Sequence, residues 1–171
     1  MTRFRHARRA TSALEFALMA PILLVLATGA MGLCLVIRAR TDLSEAANAM
    51  AELVAAQATV TPAEITDFCA GAGAAMTPYA SAPLQIGIAS VTNTGGTAAT
   101  DWSDTSCGGG AAIASPASLA AGVVPDAGDS TIVVQASYVF HNPLTLVLPA
   151  TFDLSVTAYA RPRANATVTY N

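Results

Sequence analysis

The first third of the chain has the pattern of one long helix that begins apolar and becomes amphipathic. Residues 16–37 carry no charged side chain, and as a helix these 22 residues would span about 33 Å, which matches a bilayer hydrocarbon core of about 30 Å. The apolar residues that follow share one helical face: Leu43, Ala46, Ala47, Met50, Val54 and Ala58. The pattern predicts a helix from about residue 12 to residue 57, with Thr61-Pro62 as its stop.

Two residues of this helix differ from their apolar surroundings. Pro21 removes one backbone hydrogen bond, so we expect a kink there. Glu15 places a carboxylate at the start of the run, and a charge at the bilayer centre costs about 3 kcal/mol. Such a residue indicates a function with a specific partner. The simpler alternative is that Glu15, six residues from Arg9, reaches the interface and has no partner.

The remainder of the chain predicts a small domain with a sheet. A short helix is expected around residues 63–69, and alternation predicts a strand at residues 84–89. Two further strands each place alternating apolar residues on one face: Ile132, Val134, Ala136, Tyr138 and Phe140, and then Phe152, Leu154, Val156 and Ala158. Residues 166–170 could add an edge strand. The predicted fold class is α+β, a long N-terminal transmembrane helix followed by a small extracytoplasmic domain with a short antiparallel sheet.

Residues 92–131 are rich in Gly, Ala, Ser, Thr and Asp, which predicts no regular structure there. The aspartates of this segment form two D-x-x-D pairs, which we expect to be solvated turn residues: Asp101, Asp104, Asp126 and Asp129. Trp102 could be an exposed aromatic of an adhesive surface or a loop anchor. The pattern does not separate these two roles.

Charge is scarce and unevenly distributed. Only 11% of the residues are charged and 53% are hydrophobic, which is too apolar for an ordinary soluble surface. Four of the eight basic residues precede residue 10: Arg3, Arg5, Arg8 and Arg9. Without residues 1–10, four Arg face eleven acidic residues, a net charge of −7. This distribution argues against a nucleic-acid partner and for a topology signal that keeps the N-terminus in the cytoplasm.

The sequence offers little for catalysis. Its two histidines, His6 and His141, are not at metal-ligand spacing from a Cys or Asp, and no phosphate loop occurs. We therefore expect no enzyme, no metal, no cofactor and no small-molecule substrate. Cys69 and Cys107 could form a disulfide in an oxidising compartment, where closing 37 intervening residues would contribute about 3–4 kcal/mol. The alternative is two free thiols.

Cleavage after Ala10 would connect the basic leader with Glu15. Thr11 would become the first residue and Glu15 the fifth, so the new ammonium group would lie about one helical turn from the carboxylate. The two charges are each costly in lipid and would offset one another, within a chain or between packed neighbours. Glu15 would then be an assembly contact, formed after a peptidase removes residues 1–10.

The stretch RRATSALEFALMAPILLVLATGAMGL, with Glu15, Phe16 and Pro21, resembles the class III signal sequences of type IV pilins, and in particular the TadE-like pseudopilins of the Tad (Flp pilus) system. Residues 131–163 resemble the ending of that family more loosely. The resemblance implies cleavage by a prepilin peptidase between Ala10 and Thr11. It also implies assembly with other pilins or pseudopilins, as a minor subunit in pilus biogenesis. The family usually has Gly before the cut, whereas this chain has Ala10.

We expect a basic leader at residues 1–10, a transmembrane and amphipathic helix at 11–57 and a periplasmic α+β domain at 58–171. The protein would be a single-pass protein of a bacterial inner membrane with a cytoplasmic N-terminus, and could enter an extracellular pilus. A plain signal anchor, or a secretory signal peptide cleaved near Ala30, are the alternatives for the apolar run. The alternative function is a membrane-anchored periplasmic binding or adhesion domain that never enters a filament.

Overall fold

The computed structural model describes the backbone of residues 2–110 and 112–171, and the side chains of residues 15–110 and 112–171. Its elements are α1 (Thr2–Ala55), β1 (Thr59–Val60), α2 (Pro62–Ala75), β2 (Leu84–Thr94), β3 (Thr97–Cys107), α3 (Pro116–Ala120), β4 (Ser130–His141), β5 (Thr151–Ala160) and β6 (Thr169–Tyr170). A long N-terminal helix is followed by a domain with an antiparallel sheet, which confirms the α+β fold class.

The chain forms two compact units. The first, which we call the helix unit, comprises Met1–Ile37 and His141–Phe152. The second, the sheet unit, comprises Arg38–Phe140 and Asp153–Asn171. The helix unit therefore combines the apolar part of α1 with the connection between β4 and β5.

α1 is a continuous helix of 54 residues and begins earlier than the apolar pattern predicted. The Ala and Arg residues of the leader are good helix formers, which accounts for the earlier start. Thr61-Pro62 was predicted to stop this helix, but α1 has already ended at Ala55, and Thr61 instead caps α2. The Thr61 side chain accepts a hydrogen bond from the Glu64 N–H, and the Glu64 carboxylate accepts one from the Thr61 N–H, with Pro62 at the first helical position.

The part of α1 in the sheet unit buries the predicted stripe. Its buried residues are Ala39, Leu43, Ala46, Ala47, Met50, Ala51, Val54 and Ala55. Glu45, Asn48 and Glu52 lie exposed on the other side. Ala58, which the pattern placed on the stripe, lies beyond the end of the helix and is exposed. This half of α1 is therefore a structural element of the sheet unit.

The main sheet has the strand order β3-β2-β4-β5, with β2 antiparallel to both β3 and β4. The faces predicted for the strands are confirmed, because the alternating apolar residues of β4 are buried and those of β5 are buried or half-buried. Residues of β2 and β4 form a buried core cluster with residues of α3 and its flanking loops. Its members are Ala89, Val91, Ile113, Ala120, Val124 and Val133.

The prediction of no regular structure in residues 92–131 is wrong for its first part and for the short helix α3. β2 continues to Thr94, and β3 begins at Thr97 after a two-residue turn. Gly95 and Gly96 both have positive φ, 65° and 92°, which such a hairpin turn requires. The Gly-rich composition therefore marks a tight turn between two strands.

The predicted edge strand at residues 166–170 is reduced to β6, which pairs in parallel with β1 in a separate two-stranded sheet. Thr59 lies opposite Thr169, and Val60 opposite Tyr170. Trp102 is half-buried on β3, where its indole N–H donates a 2.7 Å hydrogen bond to the carbonyl of Val168. Trp102 is thus the anchor of this segment.

Candidate functional site: the apolar part of α1 and its loop

The part of α1 in the helix unit exposes most of its large apolar side chains. These are Phe16, Leu18, Met19, Ile22, Leu23, Leu24, Val25, Leu26, Met31, Leu33 and Ile37. A surface of this extent and apolarity marks a site that is covered by lipid or by another protein. From Glu15 onward the helix is long and apolar enough to cross a membrane, which supports a membrane-anchored protein.

Glu15 is the first residue of α1 whose side chain is described, and this side chain is exposed. Pro21 follows six residues later. The helical assignment of α1 continues through Pro21. Pro21, Ile22, Val25 and Leu26 line a shallow hollow that contains only apolar residues. This hollow could accept an apolar side chain of a neighbouring helix or a lipid tail.

Several predicted site residues lie outside the described side chains. They are the topology residues Arg3, Arg5, Arg8 and Arg9, and the cleavage-site residues Ala10 and Thr11. The distance between Thr11 and the carboxylate of Glu15 is therefore not part of the described structure.

A short loop between β4 and β5 approaches α1 where the helix has glycines. A Cβ atom on Gly29 would lie 3.6 Å from Cγ1 of Val147, and one on Gly32 would lie 2.9 Å from Cδ1 of Leu148. The second distance is below a normal carbon–carbon contact, so a side chain at Gly32 would displace Leu148. We call residues 142–150 the 142–150 loop. The sequence pattern did not predict this contact, although the loop carries no charge and the two glycines are three residues apart.

The described cysteines have separate roles. Cys69 in α2 and Cys107 at the end of β3 form a disulfide, with their Cα atoms 5.7 Å apart. Cys34 is a free, exposed cysteine on the apolar part of α1. A cavity of about 530 Å³ lies beside the disulfide, but no Asp, Glu, Lys, Arg or His lines it. The hydroxyl groups in its lining belong to Thr77, Tyr79 and Ser81.

Asp101 and Asp104 lie on β3, so the prediction that they are turn residues is wrong. Asp101 accepts hydrogen bonds from the hydroxyl groups of Ser90, at 3.0 Å, and Thr92, at 2.6 Å. The other pair fits the prediction better, since Asp126 is exposed in a turn closed by the Asp129 N–H. The difference arises because β3 was not predicted as a strand.

Asp104 is buried and has several hydrogen-bond donors. Its carboxylate accepts hydrogen bonds from the N–H and hydroxyl of Ser106, and from the hydroxyl of Tyr170 at 2.6 Å. Burial alone would raise the pKa of Asp104, but these hydrogen bonds outweigh burial and lower the pKa below its ordinary value. The hydrogen bond that Tyr170 donates to Asp104 raises the pKa of Tyr170. Asp104 is therefore an ionised structural acceptor.

Among the side chains of residues 15–110 and 112–171, no group of three or more His, Cys, Asp or Glu could hold a metal ion. In the same residues, no buried side-chain nitrogen or oxygen atom lacks a hydrogen-bond partner. Within this part of the chain, the exposed apolar surface of α1 and the adjoining loop are the features best suited to interaction.

Comparison with known proteins gives a family match for the N-terminal helix. No curated protein and no solved structure matches the chain. A family model described as TadE-like protein matches residues 10–52. The matched segment contains Glu15, Pro21 and most of α1, in both the exposed and the buried part. The N-terminal helix of this chain is therefore similar to that of TadE-like proteins over residues 10–52, which confirms the resemblance for this segment.

Proposed function

We propose that this chain is a minor pilin or pseudopilin that acts in the biogenesis of a Tad (Flp-type) pilus. The observation that carries the proposal is that the TadE-like match at residues 10–52 falls on a helix of two halves. The first half exposes an apolar surface, and the second half is buried in its own domain. In a membrane no hydrophobic effect drives helices together, so transmembrane helices associate by close packing. The apolar surface of α1 would pack in this way against other pilin-like helices.

A prepilin peptidase would process the chain between Ala10 and Thr11. The dense basic cluster before the cut supports a cytoplasmic N-terminus and a periplasmic sheet unit, in the bacterial inner membrane. An oxidising periplasm also suits the Cys69–Cys107 disulfide.

Glu15 would then form the assembly contact. Its side chain is exposed, so its carboxylate is accessible to the ammonium group of Thr11 in the same or a neighbouring subunit. In lipid each charge alone is costly, whereas the pair offsets much of that cost. Loss of the carboxylate would leave the span more apolar and better inserted, yet without the contact that orders the helices.

The first test is the N-terminal residue of the membrane-extracted protein, measured by intact mass and N-terminal peptide sequencing. We expect a start at Thr11. Ala10→Gly should be processed at least as well, and Ala10→Leu should leave the leader in place because a large side chain would not fit a slot that normally takes Gly. A start near Met31 would identify a secretory signal and remove the proposal. An intact N-terminus would favour the anchored periplasmic domain that never enters a filament.

The second test compares Glu15→Ala with Glu45→Ala. Both residues are exposed carboxylates of α1, but Glu45 lies in the sheet unit. Both variants should fractionate with the membrane. Glu15→Ala should lose co-purification with the Tad pilins and surface piliation, and Glu45→Ala should keep both. Normal assembly of Glu15→Ala would remove the paired-charge mechanism.

A further inference from the structure

We infer that the 142–150 loop inserts into the hydrocarbon of the membrane leaflet next to α1, so that the protein contacts lipid through a second segment besides its span. This inference rests on the proposed membrane anchorage of α1. The occupant that covers the loop is lipid, and the argument comes from the composition of the loop, its depth along α1 and its hydrogen bonding.

The loop presents apolar side chains outward. Residues 142–150 carry no charge, and Leu146 is 72% exposed and Val147 48% exposed. Leu146 has the highest exposure of any large hydrophobic residue on the described part of the chain. In water this arrangement is unfavourable, whereas among acyl chains it removes the apolar surface from water.

The contacts of the loop with α1 fix its depth. Gly29 and Gly32, which face Val147 and Leu148, precede the end of the uncharged run at Ile37 by eight and five residues. At 1.5 Å per residue, these contacts lie about 12 Å and about 8 Å inside that end. One leaflet contributes roughly half of a hydrocarbon core of about 30 Å. If residues 16–37 span the bilayer, the loop therefore lies at the depth of the acyl chains.

Asn142 satisfies some of the polar groups of the loop internally, which lowers the cost of placing them in lipid. Asn142 is only 4% exposed. Its Nδ2 donates hydrogen bonds to the carbonyls of Leu144, at 3.0 Å, and Pro149, at 3.3 Å, and its Oδ1 accepts one from the Leu144 N–H at 3.1 Å. The Asn142 N–H donates to the carbonyl of Ala150 and closes the loop. The two prolines of the loop have no N–H group to satisfy.

The test measures the depth of single fluorescent labels in the full-length protein. In a Cys34→Ser background with the disulfide intact, NBD is attached to Leu146→Cys, to Leu119→Cys and to Leu24→Cys. Leu119 is an exposed leucine of α3 in the sheet unit, and Leu24 lies in the span. The protein is reconstituted into phosphatidylethanolamine and phosphatidylglycerol vesicles with a nitroxide near the headgroup or near the end of the acyl chain.

We expect the Leu146 label to have blue-shifted emission and to be quenched by both nitroxides, because the neighbouring Val147 lies beside Gly29, about 12 Å inside the end of the uncharged run. The Leu24 label should be quenched most by the deep nitroxide, and the Leu119 label by neither. A Leu146 label that behaves like the Leu119 label, while the Leu24 label is quenched, overturns the inference and leaves the anchor intact. A blue-shifted but unquenched Leu146 label also overturns it, because another protein copy then covers the loop.

An unquenched Leu24 label would mean that α1 does not span the bilayer, and the anchorage and the inference would both fall. Thr145→Cys provides a second position in the loop, since Thr145 is also exposed. It replaces Leu146→Cys if that variant does not keep the Cys69–Cys107 disulfide and the native circular dichroism.

Discussion

The hydroxyl group of Tyr170 donates a 2.6 Å hydrogen bond to Oδ2 of Asp104 and so joins β6 to β3. The ring of Tyr170 also stacks on Trp102, with ring centroids 5.2 Å apart. Trp102 in turn holds the carbonyl of Val168. These contacts tie the segment that contains β6 to β3, the edge strand of the main sheet.

The contact between Tyr170 and Asp104 makes the free energy of unfolding of the sheet unit depend on pH. The pKa of Asp104 is lowered in the folded protein, so its contribution is present above the unfolded pKa of about 3.9 and is lost as the pH falls through the lower folded value. Tyr170→Phe removes one donor to the carboxylate and keeps the ring on Trp102. We expect a loss of about 1–2 kcal/mol in the free energy of unfolding at neutral pH.

The measurement is denaturant unfolding of wild type and Tyr170→Phe in detergent micelles at several pH values. The difference should shrink below about pH 4, because the protonated Asp104 no longer favours the donor so strongly. Tyr159→Phe is the matched control, since its exposed hydroxyl makes only a 3.3 Å contact with the Leu119 carbonyl. A pH-independent difference for Tyr170→Phe would contradict the role of the ionised Asp104.

The disulfide is expected to stabilise the sheet unit by closing a long loop. Cys69 and Cys107 are separated by 38 positions, for which loop-closure entropy gives about 4 kcal/mol. The free energy of unfolding of the double variant Cys69→Ser/Cys107→Ser should be lower than that of wild type by that amount. Dithiothreitol should lower the stability of wild type but not of the variant. Cys34→Ser, which removes the free cysteine, should unfold like wild type. Equal stability of wild type and the double variant would rule out this contribution.

Gly108 and Gly109 separate the effect of backbone conformation from that of crowding. Both have φ of +68°, so Ala at either position adopts an unfavourable left-handed conformation, which costs roughly 1–2 kcal/mol. A Cβ on Gly109 would meet nothing within 4 Å, whereas one on Gly108 would lie 2.3 Å from the backbone carbonyl oxygen of Leu84.

Gly108→Ala should therefore be clearly more destabilising than Gly109→Ala, because β2 itself would have to move. Denaturant unfolding of the two variants, with the disulfide intact, gives the comparison. Equal losses would mean that the carbonyl of Leu84 shifts at no cost, and the close approach of Gly108 to β2 would then have no energetic significance.

Periodicity alone was enough to predict the parts of the fold that depend on one repeated pattern. The stripe from Leu43 to Val54 and the inward face of β4 follow directly from helical and alternating spacing. The hairpin at Gly95 and Gly96 was missed because β3 consists mainly of polar and small residues without alternation, and its strand conformation comes from pairing with β2 rather than from an apolar face. Local composition cannot report a partner strand.

The candidate site was predictable to a similar extent. Glu15 and Pro21 stand out because each contrasts with an apolar run. The 142–150 loop does not, since its significance depends on Gly29 and Gly32, which lie more than a hundred residues away in the chain. Asp104 was misassigned for the same reason, because its donors come from Ser106 and the distant Tyr170.

Asn142 should control the conformation of the 142–150 loop without controlling the fold. Asn142→Ala removes the three side-chain hydrogen bonds to Leu144 and Pro149 and leaves their backbone groups without those partners. Each such group costs about 1–3 kcal/mol when it is buried, so we expect amide exchange in peptides covering residues 141–152 to accelerate at least tenfold. The measurement is hydrogen–deuterium exchange of the full-length protein in micelles, read by mass spectrometry. Asn48→Ala is the matched control, since Asn48 is exposed on α1 and makes only a 3.5 Å contact with Ser44. Acceleration throughout β4 and β5 would show instead that Asn142 supports the whole sheet. Unchanged exchange in the loop would show that the Asn142 side chain does not hold the 142–150 loop closed.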